Sequence, residues 1–198
     1  MPRSGRCESA PFSVRWRRYS LLFALVACGC AHAQAPEDAL HRFYAWVLAH
    51  PSRGLPSPSA RAELANVLSR ELVESLAAAS AMQAKCVDAA PAGDKPLIVE
   101  GDLFVGNYEG ATEVVYGRQN RSGDTVMVES DLLYVDNRFP KAHEHRAVHW
   151  KDRVELRFVD GRWIVADVHF QRNRTLLSNL EDYVAEGMRS CGKTGQSR

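Results

Sequence analysis

The chain has 198 residues, enough for one ordinary domain and an appendage. Its 45% hydrophobic and 25% charged residues are those of a globular protein and exclude a disordered or collagen-like chain. Setting aside residues 1–33, which hold five Arg and one Glu, leaves 20 basic and 23 acidic residues, a net charge of −3 that lacks the electrostatic footprint of a nucleic-acid binder.

Residues 1–33 read as a bacterial-type export signal. Arg15, Arg17 and Arg18 form a cationic flank, followed by an apolar run from Leu21 to Cys28 and then small residues. The run is too short to span a bilayer, which takes ~20 apolar residues. Two processing sites compete. Leu25-Val26-Ala27-Cys28 satisfies all four positions of a lipobox, which predicts a lipidated Cys28 and a periplasmic protein anchored to the membrane only through that lipid. Ala31-His32-Ala33 fits ordinary signal peptidase and would leave Gln34 first in a soluble periplasmic or secreted protein. The lipobox is the preferred reading.

The domain itself is expected over residues 36–191. Pro36 opens a helix with Glu37 and Asp38 in its first turn, and Leu40, Phe43, Tyr44, Val47 and Leu48 form its apolar stripe. His50-Pro51 ends it. A second helical region runs from Ser59 to Cys86, with a break near Ser69. From Leu97 the period changes to two. Thr112–Gln119, Thr125–Val135, His149–Val159 and Arg162–Phe170 read as strands, with a turn at Asn120–Gly123 and a hairpin at Asp160-Gly161. A closing helix carries Leu177, Leu180, Val184 and Met188, with Ser178 and Glu181 at capping-box spacing. A polar tail, 192–198, follows. Helices, then an antiparallel sheet, then a helix make an α+β domain.

Phe43-Tyr44-x-Trp46, Gly101-Asp102-x-Phe104 with Tyr108-Glu109-Gly110, and Asp160-Gly161-Arg162-Trp163-x-Val165 resemble a bacterial envelope family, domain of unknown function 3828. The resemblance spans roughly residues 37–190. It implies a cystatin-like or nuclear-transport-factor-2-like cone, in which helices pack into a curved antiparallel sheet. Such a cone often holds a pocket, but the family's activity is not established and no catalytic residue carries over.

Four groups of residues are candidates for chemistry. His143 and His145 would share one face if the segment were a strand, and His149 could add a third imidazole to a zinc or copper site; the alternative is a solvated loop. Asp102 and Glu109, with Phe104 between them, are either pocket carboxylates or turn residues that bind backbone amides, and the second reading is preferred. Asp167 and His169 alternate with Trp163 and Val165, so all four are expected on one face of the last strand, lining a concave pocket. There is no nucleophile elbow, phosphate loop or dinucleotide motif, and no cofactor is called for.

The fourth group is a cysteine pair. Cys7, Cys28 and Cys30 lie in the signal region, leaving Cys86 and Cys191. Cys86 lies five helical turns after Leu68, and Cys191 follows Val184 and Met188 on the inward stripe, so a disulfide is expected rather than two buried thiols. The resulting functional expectation is a non-enzymatic envelope domain that binds a small ligand or a protein partner, an inhibitor or immunity protein being one form of it. The alternative is a pocket enzyme of isomerase or dehydratase type using Asp167 and His169.

Overall fold

The computed structural model describes residues 35–51 and 54–191; the expected signal segment with Cys28 and the polar tail at 192–198 lie outside the described residues. The N-terminal helix α1 (Pro36–Ala49) starts at its proline, with Glu37 and Asp38 at the positive end of the helix dipole. The second helical region is indeed two helices, α2 (Pro58–Leu64) and α3 (Arg70–Ala89). They part at Ser69, whose hydroxyl caps α3 by accepting the Leu72 N–H at 3.2 Å.

Four antiparallel strands follow in simple meander order: β1 (Glu113–Ser122), β2 (Thr125–Val135), β3 (Ala147–Val159) and β4 (Arg162–His169). Strand ends differ from the sequence reading by one to three residues, most at the end of β1. Asn120 and Arg121 pair with Met127 and Val126, so β1 runs three residues further and the turn shrinks to Gly123-Asp124. At the other hairpin, Asp160 (φ 51°) and Gly161 (φ 80°) both take the left-handed conformation that matches the twist of the flanking strands. The molecule is therefore an α+β domain built on a four-stranded antiparallel sheet.

Alternation along β2 and β3 separates the two faces of the sheet. Val126, Val128, Ser130 and Leu132 of β2 stand opposite Leu156, Val154, Asp152 and Trp150 of β3, and all eight are buried. Onto that face α1 lays Leu40, Phe43, Tyr44 and Val47, each at most 2% exposed. The opposite face of the central strands is charged, with Lys151 bridging Glu129 (2.6 Å) and Asp131 (3.2 Å). The outer edge of β4 is closed by the break between α2 and α3: Val165 donates its N–H to Val67 O, and Ser69 donates to Val165 O, both at 2.8 Å. That pairing occupies the edge at Val165, in the middle of β4.

The closing helix α4 (Leu176–Cys191) lies against α3. It begins two residues before the expected Ser178 cap. Thr175 Oγ1 accepts the Ser178 N–H at 3.1 Å while Ser178 Oγ accepts the Thr175 N–H at 2.9 Å, so the reciprocal capping pair is Thr175 and Ser178, not Ser178 and Glu181. Cys86 and Cys191 join the two helices through a disulfide, with Cα atoms 5.1 Å apart. The register that puts Cys86 there is carried by Leu72, Leu76, Ala79 and Met82 within α3; Leu68, used in the sequence reading, precedes that helix. Gly187 lets the helices touch, because a Cβ at this position would sit 2.3 Å from Met82 Cγ.

Candidate functional site

The segment between α3 and β1 has no regular structure, yet it is held at defined points. Phe104 is fully buried, edge-on to Phe43 (6.1 Å) and Trp46 (5.5 Å) of α1. Two carboxylates organise the backbone around it. Asp102 Oδ1 accepts the Phe104 N–H at 2.8 Å, and the Asp102 N–H closes the loop onto Tyr108 O at 2.9 Å. Asp152, on the core face of β3, takes the Gly106 N–H (2.7 Å) and the Trp150 indole N–H (3.0 Å) on the same oxygen, Oδ2. Gly101 is obligatory here: its φ is +75°, and a Cβ would lie 2.4 Å from the Tyr108 ring that covers it.

Burial shifts the proton affinity of both acids. Desolvation pushes the Asp102 carboxyl up to about 6, against the Phe104 and Val105 amides that favour its charged form, and the nearby Asp152 charge pushes the same way. Asp152 is also raised, again by burial first, with Gly106 and Trp150 opposing. Asp102 therefore changes charge around pH 6, inside the wall of a cleft.

That cleft, about 590 Å³, opens between the 101–110 loop and the connection from β4 into α4. One wall carries Asp102, Gly106, Asn107 and Tyr108; the other carries Phe170, Arg172, Arg174, Asn179 and Tyr183. Tyr183 is fixed by donating to Leu97 O at 2.9 Å, and Arg174 by Asn179 (2.8 Å) and Asp182 (2.8 Å). Arg172 differs. Its backbone is left-handed (φ 60°, ψ 33°), as is that of Asn173 (φ 56°), and its guanidinium has no hydrogen bond or ion pair among the described residues. Consecutive non-glycine residues in this conformation cost free energy that the surrounding structure must offset. Tyr108 is 58% exposed, so the cleft offers an open aromatic face on one wall and an uncommitted cation on the other.

No family model, curated protein or solved structure matches this chain.

The residues singled out from sequence are dispersed by the fold. Trp163 and Val165 are core residues under α1 and its neighbours, 4% and 0% exposed. Asp167 and His169 do not share their face. The register passes from Leu156↔Val165 to Glu155↔Asp167, leaving Ala166 as an extra residue that reverses the alternation. Val168 takes the inward position opposite Val154, while Asp167 and His169 turn to the other face. There Asp167 Oδ1 accepts the Val168 N–H at 2.8 Å and the Leu177 N–H at 3.1 Å, the latter capping α4 from outside the helix. His169 Nε2 lies 3.3 Å from Glu155 Oε2. None of the four lines the cleft.

Of the three histidines, His143 and His145 stay close, with ring centroids 5.5 Å apart, but not on a strand. Residues 144–146 form a single 3-10 turn and β3 begins only at Ala147, so the strand face expected for His143 and His145 does not exist. His143 stacks on Phe139 (4.4 Å) and accepts the His145 N–H on its own Nδ1 at 3.2 Å, while His149 sits on β3 opposite Leu133. Among the described residues no three His, Cys, Asp or Glu side chains are grouped to hold a metal ion. Asp102 and Glu109 do not form a pair: Asp102 binds the Phe104 amide inside the loop, whereas Glu109 is exposed on the side of Arg138.

Asp152, Arg172 and the open ring of Tyr108 were missed from sequence. Asp152 had one available signal, a carboxylate in an alternating strand at the position where Trp150, Val154 and Leu156 require an inward side chain.

Proposed function

We propose that this is an exported envelope domain that binds a small ligand, or a short segment of a protein partner, in the cleft between the 101–110 loop and the β4–α4 connection. The observation that carries the reading is Arg172, held without a partner in a left-handed backbone on one wall of a cleft whose other wall carries the exposed ring of Tyr108. A pocket that combines an aromatic wall with a few fixed polar groups is the usual form of a ligand site. Asn107 and Asn179 add side-chain amides, and Asp102 adds a carboxyl whose charge depends on pH.

Export is supported by the basic and apolar N-terminal segment and by the Cys86–Cys191 bond, which needs an oxidising compartment to persist. Among the described residues no helix is long and apolar enough to cross a membrane, which is compatible with periplasmic anchoring through a lipid on Cys28. The cystatin-like cone and the envelope family of unknown function fit the helix-on-antiparallel-sheet arrangement, and Phe43, Trp46 and Phe104 of two quoted motifs meet in space. An inhibitor or immunity protein is the version in which the occupant belongs to a partner protein. Native mass spectrometry of the protein purified from its own host tests the proposal. A bound species is expected, with occupancy falling at least tenfold in Arg172→Ala and Tyr108→Ala variants of unchanged melting temperature. A bound species retained by both variants would place the site elsewhere.

A further inference from the structure

The Cys86–Cys191 bond joins α3 and α4 near their C-terminal ends, where it forms part of the wall of a second cavity. That cavity, about 520 Å³, is completed by Ala89, Pro91, Leu97 and Ser190, and its volume is in the range that admits a small molecule. The two sulfurs are unequally placed. Cys86 is 2% exposed, and a Cβ on Gly187 would lie 3.5 Å from its Sγ and 2.3 Å from Met82 Cγ, so the packed α3–α4 interface closes around it. Cys191 stands in the last turn of α4 and is partly exposed. A thiolate exchanges with a disulfide by striking one sulfur and expelling the other, so access decides which of the two is struck.

We infer that Cys191 is a site of S-thiolation, which a small thiol enters by exchange with the disulfide and at which Cys86 is the leaving group. The incoming thiolate forms a new S–S bond to Cys191 as the Cys86–Cys191 bond breaks. The electron pair of the broken bond stays on Cys86, which takes a proton from water. One disulfide replaces another, so the step needs no oxidant. The product suits the fold. The added group has the cavity to occupy, while Cys86 is left as a buried thiol against Gly187 and Met82, where it packs as a small apolar residue. The covalent tie between α3 and α4 is opened without loss of the packing between them, and it closes again when the Cys86 thiolate attacks the adduct and expels the small thiol.

The test uses the folded, disulfide-intact protein incubated with reduced glutathione, then quenched, alkylated with N-ethylmaleimide and mapped by peptide mass spectrometry. Glutathione is expected on Cys191 and the maleimide on Cys86, preferred by roughly tenfold or more over the reverse arrangement. The rate should be first order in glutathione and insensitive to urea below the unfolding transition, because exchange takes place in the folded domain. A smaller or reversed preference would overturn the inference, as would the absence of any adduct. A rate that climbs with urea in step with the unfolded fraction would do the same, since the bond would then be reached only in the unfolded chain. Ligand binding in the cleft, or its failure, leaves these outcomes unaffected.

Discussion

Asp102→Asn separates the electrostatic cost of the loop from its hydrogen bonding. The asparagine side chain is nearly isosteric and its oxygen can still accept the Phe104 N–H, but it carries no charge to desolvate. In the folded protein the Asp102 carboxyl titrates at about 6, against 3.8 for the free group, chiefly because it is buried. The sign follows from linkage: an acid whose folded value is raised binds more protons folded than unfolded between those two values, so stability falls as pH rises through that window. Near pH 4 the folded carboxyl is protonated and the unfolded one only about half ionised, so little of the cost remains, and it vanishes below about pH 3. Above pH 6 the full penalty applies, up to ~3 kcal/mol at 1.36 kcal/mol per tenfold change in proton affinity. Partial access to solvent reduces this to about 1–3 kcal/mol. Asp102→Asn should therefore match the wild type near pH 4 and exceed it at pH 8, by roughly 2–10 °C in melting temperature for a domain of this size. Urea denaturation across pH 4–8 reads the same difference. A gap between the two proteins that does not change with pH, or a variant less stable than wild type at pH 8, would refute the argument.

Three other perturbations have definite expected outcomes. Replacing Cys86 and Cys191 together by serine should cost about 2–5 kcal/mol in chemical denaturation, since the bond closes a 105-residue separation, and the wild type should show no free thiol at these positions when labelled unreduced. Asp167→Ala removes the acceptor for the Leu177 and Val168 amides and should destabilise by about 1–3 kcal/mol, with cleft occupancy by native mass spectrometry unchanged in the folded fraction. Gly187→Ala gains up to about 1 kcal/mol of helix propensity but forces Met82 aside, and a net loss of roughly 1 kcal/mol is expected; a rise in melting temperature would show that the helices do not touch there.

The elements that a reader of the sequence can place are those whose signals are local. Pro36 with its two acids, the apolar stripe of α3 and the Asp160-Gly161 turn depend on residues a few positions apart, and each lies where its chemistry predicts. Where the signal depends on a partner elsewhere, the reading slips. Ser178 looks like a helix start because Glu181 follows it, but the Asp167 carboxylate of β4 accepts the Leu177 N–H and Thr175 caps Ser178, so the first turn forms there instead. The histidine run looks like alternation, but the Phe139–His143 stack curls it into a turn before the strand begins.

The bulge at Ala166 accounts for the largest difference in the site. Alternation is a sound rule for a strand that pairs residue for residue, and from Trp163 to Val165 it holds. Nothing in Val165-Ala166-Asp167-Val168 marks the extra residue by composition, because Ala is neither a turn former nor conformationally permissive. The demand comes from both sides of the strand. Val165 exchanges hydrogen bonds with the Val67–Ser69 segment, while three residues on Val168 fills the core opposite Val154. Val165 and Val168 can both face inward only if one residue between them is skipped, and the same skip carries Asp167 out to the start of α4. A carboxylate that reads as a pocket acid thereby becomes a helix cap. Of the carboxylates singled out from sequence, the one that lines the cleft is Asp102, in a segment with no periodicity, held there by the anchoring of Phe104 beneath α1.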